Sequence, residues 1–229
     1  MKIIAIETAT EACSAALYLN GEVLERHELA PREHNRLILP MVESLLQEAG
    51  LVLAQMDALA FGRGPGSFTG VRIATGVAQG LAFAVDLPVA PVSTLAAMAL
   101  QAFDECTVDH AFACIDARMG EVYWGIYRRD GQGVETVTAE AVVPPEAVDV
   151  PPVVNGVGIG SGWATYEDVL RQRVGMERIS TILRDRFPRA AQIARLGAEI
   201  FQRGGCVSAE LALPVYLRDQ VAKKPSSGG

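Results

Sequence analysis

The sequence predicts an α/β fold of two repeated lobes with a cleft between them, on the strength of a strand–acid–hairpin pattern that occurs twice. KIIAIE (residues 2–7) is an apolar run closed by an acid, which reads as a short buried strand. CSAALYLNGEVLE (13–25) reads as two strands turned at Asn20-Gly21, a dipeptide that accepts the positive φ of a tight hairpin. AFACIDARMGEVYWGIYRRDGQGVE (111–135) restarts the programme with a strand, an acid, a turn and a hairpin pair hinged at Asp130-Gly131. Ile6-Glu7-Thr8 thereby aligns with Ile115-Asp116-Ala117, and the two acids are expected to face each other across the cleft.

Between these repeats the helical period takes over. From Arg36 to Ala49 the residues Leu37, Ile38, Met41, Leu45, Leu46 and Ala49 share one face, with Gly50 placed to end the helix and Pro40 expected in its opening turn or at a kink. MDALAFGRGPG supplies a further strand, and Ser67 or Thr69 is expected to cap a helix beginning near Val71 and closed by Pro88. Ser93 opens the next helix, to about Phe103. VVPPEAVDVPP reads as a connection without helix or strand, and GVGIGSG as a turn. Residues 163–174 and 188–203 read as helices, the second with Pro188 in its first turn and Gly204-Gly205 as its stop. The expected organisation is an N-terminal lobe over 1–103 and a C-terminal lobe over 104–217. Helix 188–203 could pack back on the first lobe, and a mobile polar tail is expected over 218–229.

Composition narrows the classes of function. Half of the 229 residues are apolar, enough to bury a substantial core, and no apolar run is read as reaching the roughly 18 to 20 residues of a membrane span. Without a signal-peptide pattern at MKIIAIETAT, a cytoplasmic protein with no membrane partner is expected. Cys13, Cys106, Cys114 and Cys206 lack metal or redox spacing and read as reduced thiols. A net charge of -7 argues against stand-alone nucleic-acid binding, because affinity for a polyanion comes from cations that displace counterions.

The chemistry candidates are few. GRGPGSFTGVRIATG (62–76) has the glycine-rich turn and helix start of a phosphate loop but no lysine after the glycines, Arg72 being the nearby cation; Gly64, Gly66 and Gly70 equally suit a tight strand-to-helix turn. Glu7 and Asp116 sit just after strands, where a carboxylate can hold magnesium or orient water, or can simply cap a turn. Arg118 could serve a site with Asp116 or form an ion pair with it. His27, His34 and His110 are scattered singly, so no metal set is expected. The helix from 71 to 85 carries two rows of small residues, Gly70, Ala74, Ala78 and Ala82 on one and Gly76, Gly80 and Ala84 on the other, suited to close packing or to docking another chain.

IETATEACSAAL, REHNRLILP, GRGPGSFTGVRIATGVAQGLA, DARMGEVYW and LPVYLRDQVAKK together resemble the TsaB (YeaZ) family, the small bacterial partners of the threonylcarbamoyl transferase TsaD. The resemblance covers nearly the whole chain and is clearest over the first 125 residues; GPGSFTGVRI is specific to the group. It implies a fold of the actin, sugar-kinase and Hsp70 type. It also implies a noncatalytic role, with TsaD and TsaE, in threonylcarbamoylation of the adenosine next to the anticodon in tRNAs reading codons that begin with adenine. In TsaD a His-x-x-x-His pair binds the catalytic metal, and the aligned positions here are Thr94 and Met98, neither of which replaces an imidazole as a ligand for a hard catalytic metal. The resemblance therefore implies no cofactor on this chain, ATP and metal being held by the partners, and tRNA contact only through the complex. Glu7, Thr8, Asp116 and Arg118 would then line a vestigial nucleotide cleft. The family docks its partner on the helices corresponding to 35–49 and 71–85, which nominates Arg36, Met41, Leu45, Gly70, Ala74, Gly76 and Gly80, and the same surface can form a homodimer in an isolated sample. His34-Asn35-Arg36 departs from the family's usual His-Ser-Glu.

Overall fold

The computed structural model describes residues 1–152 and 155–218. The first sheet contains β1 (Lys2–Glu7), β2 (Ala12–Leu19), β3 (Glu22–Leu29), β4 (Ala58–Gly62) and β5 (Val89–Val92) in the order β3-β2-β1-β4-β5. The second contains β6 (His110–Arg118), β7 (Glu121–Asp130), β8 (Gly133–Thr136), β10 (Gly156–Ile159) and β11 (Ile179–Leu183) in the order β11-β10-β6-β7-β8, with β9 (Ala141–Val143) also paired to β7. In each sheet the first strand pairs antiparallel with its hairpin partner and parallel with the strand on its other side. The strand–acid–hairpin repeat therefore extends to a repeat of whole sheet topology. The turn residues behave as their chemistry requires, Asn20 and Gly21 both having positive φ between the paired Leu19 and Glu22.

The helices are α1 (His34–Glu48), α2 (Phe68–Val85), α3 (Thr94–Glu105), α4 (Ser161–Val174) and α5 (Ala190–Gln202). Helix α1 starts two residues before the expected point, which leaves Pro40 inside it. A proline there cannot donate to the Arg36 carbonyl, so the helix passes through a missing rung. Ser67 caps α2 by accepting from the Gly70 amide at 3.1 Å, and α2 begins three residues earlier than expected. Pro188 lies outside α5, whose N-cap is Arg189. GVGIGSG is strand β10 followed directly by the first turn of α4, and not a turn. The proline-rich connection contains β9 and a single turn of 3-10 helix at Pro145–Ala147.

Strand alternation sorts the core into layers. On β1, Ile4 and Ile6 face α1 and α2, whereas Ile3 and Ala5 face the middle of the molecule. That middle layer is α3 and α5, exchanged between the halves: α3 packs on β6, β7 and β10, and α5 packs on β1, β2, β4 and β5. The expected division at 103/104 falls inside α3. The inner face of the first sheet is paved by Ala5, Ala16, Ala58, Ala60 and Ala90, and α5 presents Ala190, Ala194 and Ala198 to the same core. Gly197 is where the approach is closest, since a Cβ there would collide with the Cβ of Ala60. Beyond the second sheet, Phe112, Trp124 and Trp163 form an aromatic cluster with ring centroids 6.1–6.4 Å apart. All four cysteines are free, Cys13 and Cys114 fully buried. Of the tail expected over 218–229, only Arg218 lies within the described residues.

Gly197→Val is expected to force α5 off the first sheet and to destabilise the protein by roughly 1–3 kcal/mol. Urea unfolding measures this, and an unchanged midpoint would contradict so close an approach.

Candidate functional site

The glycine loop between β4 and α2 lies against the turn that follows β1. Ser67 donates its amide to the Ala9 carbonyl at 2.7 Å, and the Thr8 hydroxyl donates to the Gly70 carbonyl at 2.7 Å. A side chain at Gly62 would overlap the Glu7 carboxylate, one at Gly66 the Ala9 carbonyl, and one at Gly70 the Thr8 carbonyl. The glycines are thus occupied in letting two backbone segments touch. The same holds for Gly160 and Gly162 in the second lobe, whose added Cβ atoms would meet the Cys114 carbonyl and thiol.

Of the four residues expected in the cleft, the structure places two there. Glu7 and Thr8 are fully buried within the first lobe and do not line the opening between the lobes. Glu7 Oε1 accepts from the Ala9 amide at 2.5 Å and Oε2 from the Thr94 hydroxyl at 3.2 Å. Burial is the dominant influence on this carboxyl and lifts it from 4.5 to about 7, with the hydrogen bonds pulling the other way. Asp116 and Arg118 do border the cleft, a space of about 980 Å³ between the lobes. Asp116 accepts from the Arg118 amide at 2.8 Å and from its guanidinium at 2.9 Å, while the other arm of Arg118 reaches Glu11 of the first lobe at 3.0 Å.

The cleft also holds arginines that sequence reasoning did not place in it. Arg32, Arg72 and Arg218 line it beside Arg118, against the acids Glu11 and Asp116. Arg72 lies 3.4 Å from the centroid of Phe68 and donates to the Tyr216 hydroxyl at 2.9 Å. The signal for Tyr216 and Arg218 was present in LPVYLRDQVAKK, but nothing local assigns that string to a cleft lined by Arg72, which lies 144 residues before Tyr216. Thr94 and Met98 are both buried. Among the described residues, no three His, Cys, Asp or Glu side chains stand together as a metal cluster.

The expected docking residues divide sharply. Ala74 and Leu45 are fully buried in the core shared by α1, α2 and the first sheet, and Gly70 is pressed on Thr8, so none of the three presents surface. Met41 is half-buried, and Arg36 is exposed in an ion pair with Glu33 at 2.6 Å. Gly76 and Gly80 are exposed, with nothing within 4 Å of an added Cβ. Ala84 is also exposed, Phe83 is 82% exposed, and Leu39 of α1 is 48% exposed. Helix α2, 18 residues with mean hydropathy 1.3, is by length and composition apolar enough to cross a membrane, contrary to the sequence expectation. Its Ala74, Ala78 and Ala82 row is nevertheless packed into the lobe, which makes it a sheet-covering helix with one uncovered apolar face.

Glu7 gives a pH signature with a defined sign. Between pH 4.5 and about 7 the folded chain retains a proton that the unfolded chain has released, so this group's stabilising contribution is complete below pH 4.5 and is lost as pH rises through about 7. Relative to Glu7→Gln, the native chain is expected to lose on the order of 3 kcal/mol across that window in urea unfolding. Parallel pH profiles for the two proteins would contradict a protonated Glu7.

Comparison with known proteins places the chain among relatives of matching length and fold. Residues 26–225 match the family model described as TsaD: tRNA N6-adenosine threonylcarbamoyltransferase. The tRNA threonylcarbamoyladenosine biosynthesis protein TsaB of Escherichia coli (strain K12) is 45% identical, the alignment covering 100% of this chain and 99% of the relative. The protein of the same name in Haemophilus influenzae is 39% identical, over 100% and 98%. The solved structure of YeaZ from Pseudomonas aeruginosa superposes with a TM-score of 0.89 at 46% identity, covering 94% of this chain and 99% of that one. The two-lobed architecture is accordingly of the actin, sugar-kinase and Hsp70 type. With relatives matched end to end and the repeated lobes in place, this chain belongs to the TsaB (YeaZ) family of tRNA threonylcarbamoyladenosine biosynthesis proteins.

Proposed function

We propose that the chain is a noncatalytic subunit that binds a TsaD partner, acts with TsaE, and is required for threonylcarbamoylation of the adenosine next to the anticodon in tRNAs reading codons that begin with adenine. The observation that carries this reading is the open face of α2. Gly76 and Gly80 are each unfavourable in a helix by roughly 1 kcal/mol relative to alanine, and inside this chain they touch nothing that would require glycine. A smooth row of Gly76, Gly80 and Ala84, beside the exposed Phe83 on the same helix, lets a partner helix approach to backbone distance and cover apolar surface.

The burial of Glu7 supports the noncatalytic reading, because a carboxyl enclosed by Ala9, Gly62 and Thr94, with its charged form disfavoured by desolvation, is poorly placed to hold magnesium in the cleft. ATP and metal are then the property of the partner proteins, and tRNA is met through the complex. The protein works in the cytoplasm, and alone it forms a homodimer through the same α2 face.

Gly80→Leu is expected to leave the monomer folded, and more stable by up to about 1 kcal/mol through better helix propensity, while weakening the TsaD complex by about a hundredfold or more. Size-exclusion chromatography with light scattering, with and without TsaD, reads the second effect and thermal unfolding the first. Omitting the chain from a mixture of TsaD, TsaE, threonylcarbamoyl-adenylate and tRNA is expected to abolish most multiple-turnover modification. Undiminished turnover, or a Gly80→Leu protein that still forms the complex, would overturn the proposal.

A further inference from the structure

The segment Ala212–Arg218 passes from one lobe to the other across the cleft. Its first half is seated on the first lobe. Ala212 is fully buried, and its carbonyl accepts from Gln79 Nε2 at 3.2 Å. The Val215 amide donates to the Arg63 carbonyl at 2.8 Å, with Gly64 beneath at φ +96° and its would-be Cβ 3.1 Å from the Val215 carbonyl oxygen. The Tyr216 ring lies 5.9 Å from that of Phe68, and Arg72 reaches both. The second half holds the other lobe. Arg218 pairs with Glu121, donates to the Arg118 carbonyl at 3.3 Å, and lies 3.7 Å from the Met119 sulfur.

The structure Arg218 holds is unusual in its backbone. Arg118 and Met119, at the tip of the β6–β7 hairpin, have φ of +63° and +58°, a region that side chains other than glycine, asparagine and aspartate seldom occupy. Met119 is 84% exposed, so no packing of its own side chain holds it there. Three polar partners surround the tip: Asp116 beneath Arg118, Glu11 across the cleft, and Arg218 above the Arg118 carbonyl. Two of the three come from outside the second sheet.

We propose that Ala212–Arg218 is an interlobe clamp. Tyr216 and Ala212 anchor it to the first lobe, and Arg218 grips the Arg118–Glu121 tip, which sets how far the cleft opens and steadies the tip in its strained conformation. The two ends differ in physical character. The anchor is partly apolar and stacked, whereas the grip is an ion pair with both side chains partly exposed, open to screening by salt. Release therefore starts at Arg218, with the lobes moving about the shared α3 and α5 layer. The inference stands on the cleft geometry and does not depend on any partner.

Hydrogen–deuterium exchange of the full chain alone, read by mass spectrometry, tests it with four proteins: native, Arg218→Glu, Glu121→Arg and the double reversal. Each single reversal is expected to speed exchange in peptides spanning 116–122 and 8–11 by about tenfold, with β1 and β4 peptides unchanged. The double reversal is expected to recover part of the slow exchange, because the ion pair is re-formed with its charges exchanged whereas the donor to the Arg118 carbonyl is lost. Tyr216→Ala, which frees the anchor instead of the grip, is expected to speed the same peptides. Unchanged exchange at the tip in Arg218→Glu would overturn the clamp. So would faster exchange spread evenly into β1 and β4, or a double reversal no slower than the single variants.

Discussion

The close approach of α5 to the first sheet is the constraint from which the rest of the structure follows. An alanine-paved inner face admits a helix at a separation that larger side chains would forbid, and Gly197 over Ala60 marks the point of least clearance. Because α5 belongs to the second half of the chain and α3 packs in return on the second sheet, the two lobes are joined by exchanged helices. The inner layer is thereby filled, α1 and α2 cover only the outer face of the first sheet, and the segment after Ala209 covers one side of α2 while Gly76, Gly80 and Phe83 stay exposed among the described residues.

Small residues therefore perform two different tasks on the same helix. Gly70, Ala74, Ala78 and Ala82 bring α2 onto the sheet and onto the Thr8 carbonyl, whereas Gly76, Gly80 and Ala84 leave a smooth outer surface. The glycine loop ahead of α2 belongs to the first task. Its glycines are spent on backbone contact with Glu7, Thr8 and Ala9, and the carboxyl they enclose is raised in pKa by the burial that results. A shell shaped like a nucleotide-binding one is thus compatible with an interior that has turned its acid inward, and with activity expressed at a surface.

The cleft is the complementary feature. It is spacious and bordered by arginines, yet several of those cations already engage groups of this chain: Arg118 with Asp116 and Glu11, Arg72 with Phe68 and Tyr216, Arg218 with Glu121. Interactions of this kind are individually weak when exposed, but here they converge on one hairpin tip and one crossing segment, so their joint effect falls on the relation between the lobes. Along α2, Arg72 and Gln79 touch the crossing segment while Gly76, Gly80 and Phe83 face outward, which sets the cleft and the open face on adjacent stripes of one helix.

The order and repetition of the elements were legible in the sequence, because alternation, helical period, hairpin dipeptides and serine caps act over a few residues and Asn20-Gly21, Ser67 and Ser93 sit where that local chemistry requires. Which acid entered the cleft was not legible: Glu7 and Asp116 occupy aligned positions near the C-terminal ends of equivalent strands, yet one is sealed by Gly62 and Thr94 while the other meets an arginine at the surface. Nor could spacing separate Ala74 from Gly76, since both rows repeat every fourth residue and only the sheet beneath one of them assigns inside and outside. Periodicity is a property of neighbours along the chain; burial, a raised carboxyl and a segment bound 144 residues away depend on what the fold brings alongside.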